Sequence, residues 1–145
     1  MLTDTFGPHS QTLYSLLARC RELGGFEGDE AHGIRGVFHR PLLELARELG
    51  FEGTVEGRLS IDVLRRAVES GKLALLSIDL ARVRGGLSGG HLLLVHAYDG
   101  ESKEFLLHDC SEVLANPGEN ARVPEAVLEG ISNRKGLIVW LAAAR

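Results

Sequence analysis

The chain has 145 residues, 44% of them hydrophobic and 25% charged, enough for one domain that buries a core without disulfides or structural metal. Its formal net charge of −4, with no basic stripe, excludes the counterion-displacing surface that a general nucleic-acid partner requires. Cys20 and Cys110 lie far apart outside any CxxC pair, the N-terminal MLTDTFGPHS is polar, and no apolar run approaches the roughly 18 residues that span a bilayer, so a reduced, cytoplasmic protein without a membrane partner is expected.

Gly7-Pro8 opens the first element, proline being suited to a first helical turn where its missing N–H would be unpaired anyway. Leu13, Leu16, Leu17, Cys20 and Leu23 recur at helical spacing until Gly24-Gly25, which predicts a helix from about Pro8 to Leu23 buried along that stripe. The glycine- and acid-rich GGFEGDEAHGIRG reads as a loop, and Pro41 starts a second helix, PLLELARELG, that ends at Gly50. Ser60 is placed to N-cap a third, IDVLRRAVESG, with Asp62 favourable to the helix dipole and Gly71 just beyond its end. Strand-length apolar runs follow at 73–78 (LALLSI), 91–98 (HLLLVHAY), 104–109 (EFLLHD) and 136–142 (GLIVWLA), with a short helix beginning at Pro124. Helices come first and strands second, which predicts a single α+β domain over residues 1–145 with a mainly antiparallel sheet. GGLSGG at 85–90 reads as a mobile loop inside that domain.

Asp99-Gly100 between two apolar runs is a hairpin signal, and a loop centred on Gly100 sets His91 directly opposite Asp109. Directly opposed residues of an antiparallel pair share a face with Cβ atoms roughly 4.5 to 5.5 Å apart, so the imidazole and carboxylate are expected to hydrogen-bond. A carboxylate so placed fixes the tautomer of the ring and stabilises its charged form. The pair also reads as a structural ion pair at the mouth of the hairpin, and a one-residue slip of register would separate it. Strand alternation turns His96, His108 and Cys110 away from His91 and Asp109, so the histidines do not converge on one metal. A cluster of His96, His108 and Cys110 on the second face remains, at a spacing that matches no zinc signature, and no metal or other cofactor is expected. His32 and His39, at the ends of the polar loop, read as surface or capping residues.

GGHLLLVHAYDG followed by FLLHDCSE resembles papain-like cysteine peptidases of the bacteriocin-processing, double-glycine leader type, where Gly-His on an apolar strand precedes an Asp or Asn on the next strand. FHRPLLELARELGFEG, the helix after Ser60, GKLALLSI and RKGLIVWLA resemble further parts of that fold, so the likeness spans nearly the whole chain. The resemblance implies a papain-like fold with His91 and Asp109 in the catalytic positions. It also implies a nucleophilic cysteine opening the first helix before Gly-Pro, where TFGPHSQTLYSLL carries Phe6 instead. The glutamine of the family's oxyanion hole would have to precede Met1. Without thiolate or placed donor the ordinary acyl-enzyme route lacks its nucleophile and its transition-state stabiliser.

Ser10 lies one turn beyond Phe6, about 6 Å along the axis, and is the remaining hydroxyl candidate for that role. Cys20 is expected to be a buried core thiol and Cys110 to face away from His91, both inert to alkylation. The cleft candidates are Phe6, His9, Ser10, Gly89 and Gly90, the two glycines because bare backbone lets an extended peptide lie close to the histidine strand. The expected function is a degenerate peptidase homologue that binds a peptide or peptide-derived substrate without orthodox proteolysis. The alternatives are a nucleophile-free enzyme using His91 and Asp109 on a small or carrier-tethered substrate, an interaction domain in which the pair is purely structural, and, behind these, an active thiol or serine hydrolase.

Overall fold

The computed structural model describes residues 13–29 and 33–143. The first described element is helix α1, Leu13–Glu22. The expected stripe is only partly buried: Cys20 is enclosed, but Leu17 on the same helix is 38% exposed, contrary to its assignment to the core. The start of the helix expected from about Pro8, with His9 and Ser10, lies outside the described residues, as do Phe6 and His32.

The predicted loop after Gly25 is instead a two-stranded antiparallel hairpin, β1 (Phe26–Asp29) and β2 (Gly33–Val37). Its backbone pairs although the sequence FEGD and GIRGV has no apolar alternation, and the pairing is extended where the Phe38 N–H donates to the Gly25 carbonyl at 2.8 Å. Helix α2 (His39–Glu48) begins two residues before Pro41, which leaves the proline within the first turn. Gly50, at φ +93°, then turns the chain into β3 (Phe51–Glu56), a strand the sequence reading did not single out. Helix α3 (Ile61–Glu69) is capped as expected: the Ser60 hydroxyl oxygen accepts from the Val63 N–H at 3.2 Å.

β4 (Leu73–Asp79), β5 (Gly90–Asp99), β6 (Glu104–His108) and β8 (Ser132–Leu141) occupy the four predicted apolar runs, β8 starting four residues early. A short α4 (Leu80–Val83), the edge strand β7 (Ala121–Pro124) and α5 (Glu125–Ile131) complete the order. The six main strands form one antiparallel sheet in the order β3-β8-β4-β5-β6-β7, an α+β arrangement.

Both faces of the sheet are buried. On one face Ala74, Leu76, Ile78, Leu93, Val95, Phe105 and Leu107 pack beneath α3 and α5, through Leu64, Val68, Leu128 and Ile131. On the other, Leu73, Leu75, Leu94, Leu137 and Val139 pack beneath α2 through Leu43 and Ala46. A strand enclosed on both sides reads as a continuous apolar run, which is why LALLSI and HLLLV show so little alternation. No helix among the described residues is long and apolar enough to cross a membrane.

Candidate functional site

The β5–β6 hairpin carries the site, and its register differs from a loop centred on Gly100. Near the turn Asp99 pairs with Glu104 and Tyr98 with Phe105, whereas farther along Val95 pairs with Leu107 and Leu94 with His108. His96 is the extra residue, a one-residue bulge on β5. Carrying the turn-side register onward unbroken would bring Asp109 beside Leu94, on the face opposite to His91. The bulge restores the parity, so Asp109 follows His108 onto the face of Leu93, and His91 becomes its diagonal rather than its direct neighbour. Diagonal residues are roughly 7 to 8 Å apart at Cα, a gap that long side chains close.

They do close it. His91 Nε2 and Asp109 Oδ1 are 2.7 Å apart, with the aspartate side chain fully buried and the imidazole 16% exposed. The carboxylate is held from its other side as well, Oδ2 accepting the Leu114 N–H at 2.7 Å. The loop after β6 folds back to make this possible. The Asp109 N–H donates to the Gly118 carbonyl at 2.9 Å, and the Glu112 N–H to the Asp109 carbonyl at 3.1 Å. Gly118 is required there, because a Cβ at that position would lie 1.9 Å from the Asp109 carbonyl oxygen. Burial pushes the Asp109 carboxyl up, but the Leu114 N–H, the hydrogen bond and charge of His91, and the Ala115 N–H together hold it below the ordinary carboxylate range. Leu114 and Gly118 were absent from the sequence reading; the Pro-Gly of SEVLANPGEN is the signal of a turn that could have pointed to them.

In the serine-protease triad the carboxylate holds Nδ1 and leaves Nε2 to move the proton. Here the carboxylate holds Nε2, so Nδ1 is the ring nitrogen not engaged by Asp109. An imidazole oriented in this way presents its second ring nitrogen for proton transfer.

Gly90 pairs with Asp79 at the start of β5, and the Gly89 carbonyl accepts the Leu80 N–H at 2.9 Å, so the end of GGLSGG is tied to the turn after β4. Both glycines are exposed, beside His91 in the chain, and Gly89 has φ +91°. A Cβ at Gly90 would meet the Ser77 hydroxyl oxygen at 3.7 Å, an ordinary contact, so the space there does not itself demand glycine.

His96 and His108 meet on the other face, with ring centroids 4.6 Å apart. His108 Nδ1 accepts the Asn120 N–H at 3.0 Å, while His96 Nε2 is buried without a hydrogen-bond partner. The three-residue cluster with Cys110 does not form as a metal site: among the described residues no three His, Cys, Asp or Glu side chains are grouped to hold an ion. Cys20 is buried, and burial raises its thiol pKa. Cys110 is exposed. His39 is half-buried at the start of α2, its pKa lowered by burial and by Lys135.

No protein-family model matches the chain, and no curated protein does. Among solved structures the chain is similar to the peptidase domain of Streptococcus ComA, a bi-functional ABC transporter involved in a quorum-sensing pathway, at TM-score 0.59 and 15% identity over 99% of this chain and 85% of that one. It is similar also to a Bacillus anthracis protein named as C39-like peptidase, at TM-score 0.57 and 17% identity over 80% of this chain. The chain spans 65% of the length of that Bacillus protein. The chain therefore shares the papain-like fold of these C39-like peptidase structures, with its helices against an antiparallel sheet.

Proposed function

We propose that this chain is a degenerate papain-like peptidase homologue that binds a peptide or peptide-derived substrate beside the histidine strand without orthodox proteolysis. One observation carries the reading: the His91–Asp109 contact at 2.7 Å is built as a proton-handling pair, while Phe6 stands where the resemblance implies the nucleophilic cysteine. Cys20 does not replace it, being buried within α1 with a raised pKa. The occupant we infer is an extended peptide lying along the exposed Gly89-Gly90 backbone.

A second reading has its own support in the intact pair. A carboxylate fixed on Nε2 leaves Nδ1 for general acid or base chemistry on a small or carrier-tethered substrate, with Asp109 as the positioning residue. The two readings part on one substitution. A synthetic peptide ending in a double-glycine leader sequence is titrated against the native chain and His91→Ala by calorimetry, with the peptide assayed for cleavage by mass spectrometry. Binding is expected to be saturable, to change by no more than about twofold in the variant, and to leave the peptide whole. Cleavage by the native chain that vanishes in His91→Ala would refute the non-proteolytic reading, and absence of binding would refute the peptide ligand. Turnover of a non-peptide substrate lost in the variant would establish the second reading instead.

A further inference from the structure

Two tethers fix the loop that grips Asp109 to the end of the β6–β7 pair. One is the backbone bond from the Asp109 N–H to the Gly118 carbonyl. The other depends on a titratable ring. The two strands pair as far as Leu107 and Ala121, and at the next step the Asn120 N–H donates to His108 Nδ1 at 3.0 Å, a side-chain nitrogen serving as the acceptor. Asn120 is held there at φ +51°, a conformation that asparagine adopts more readily than most residues. His108 immediately precedes Asp109, so this bond and the buried carboxylate are one peptide apart.

The second tether requires a neutral ring. A nitrogen that accepts carries no proton, so the proton of neutral His108 is on Nε2. A proton added at Nδ1 sets N–H against N–H and breaks the bond. His96, the bulge residue, stacks on this ring with centroids 4.6 Å apart, and its Nε2 is buried without a hydrogen-bond partner. A proton there is a buried charge with no acceptor, beside a second imidazole. No carboxylate relieves either ring: among the described residues the only histidine ion pair is His91–Asp109, on the opposite face. On the β4 side the next position in register is the apolar Leu73, while Cys110 and Glu119, beside the tethers in the chain, are exposed. The Asn120 side chain favours a charged His96, but burial and His108 outweigh it and hold the His96 pKa down.

We propose that the His96–His108 pair is a proton-operated latch on the His91–Asp109 site, with His108 as a positioning residue. At neutral pH the pair holds the 118–120 segment; one proton taken up by either ring frees that segment and loosens the grip on Asp109. On His108 the proton breaks the tether outright. On His96 it drives the ring out of the stack towards water, and with it the bulge that sets the register of His108 and Asp109. The use of this latch to regulate a peptide site rests on the reading of that site given above. The latch itself is tested without ligand, so its failure and the failure of peptide binding are separate results.

Amide hydrogen exchange in the native chain reads the latch. Between about pH 7.5 and pH 5.5, across the ordinary imidazole value of 6.5, the protection factors of Leu114 and Asn120 are expected to fall about fivefold or more. Their exchange is expected to stay insensitive to urea below about 1 M, unlike that of Leu75 in the central strand, because the opening is local. His108→Asn places a carboxamide oxygen near the position of Nδ1 and does not titrate; combined with His96→Phe it is expected to keep Leu114 equally protected at both pH values. His108→Ala removes the acceptor and is expected to show the low, acid-like protection already at about pH 7.5. Level protection of Leu114 in the native chain, a fall that persists in the double variant and so belongs to His91, exchange as urea-sensitive as that of Leu75, or full protection in His108→Ala would overturn the proposal.

Discussion

Asp109 is a buried charge whose stability rests on named donors: the imidazole of His91 and the N–H groups of Leu114 and Ala115. Because its pKa is depressed on folding, it contributes stability that is present above the ordinary carboxylate value of 3.8 and is lost as pH falls through its lower folded value. Asp109→Ala leaves the Leu114 N–H without its acceptor, and urea denaturation is expected to show a loss of about 1–3 kcal/mol. Gly118→Ala is expected to destabilise the chain too, since the added carbon collides with the Asp109 carbonyl and must displace the loop that supplies those donors. Wild-type stability in both variants would mean that the loop does not grip the carboxylate as described. His91 and Asp109 were legible as partners from their residue types and the hairpin between them. Leu114 was not, because a backbone N–H carries no side-chain signature.

At the scale of the element, the bulge at His96 decides which face of β6 the aspartate joins. That residue is also a titratable ring with a buried, unpartnered Nε2, stacked on His108. Burial, reinforced by His108, holds its pKa below the ordinary imidazole value of 6.5. The folded chain therefore resists a proton that the unfolded chain takes up, so stability is full above 6.5 and declines as pH drops below it. His96→Phe keeps a ring at the bulge and removes the titration. Melting temperatures recorded at about pH 7.5 and pH 5.5 are expected to differ less in the variant than in the native chain; equal differences would show that His96 does not govern the acid limb. The sequence marked the hairpin but not the bulge, since an extra residue in a ladder is specified by pairing with the neighbouring strand. The same cause hid β3, an edge strand of glycine and glutamates whose partner β8 is distant in sequence, while β7 is a four-residue edge strand ending in proline.

Across the whole molecule, β4, β5 and β8 are enclosed by two cores, one under α3 and α5 and one under α2. Leu93 and Leu94 are consecutive, both fully buried, and belong to opposite cores. Leu93→Ala and Leu94→Ala are each expected to cost about 2–5 kcal/mol in urea unfolding, with a single transition retained. A negligible loss in either one would show that its face of the sheet is not a core. The sequence by itself determined the α+β class, the four long strands, the capped third helix and the identity of the histidine–aspartate pair, because those depend on local periodicity, capping chemistry and residue type. The tertiary structure alone decided the register that joins the pair, the loop that grips its carboxylate and the ring nitrogen that meets it. Each of these depends on backbone hydrogen bonds and packing between segments far apart in the chain, for which no single stretch of residues holds the information.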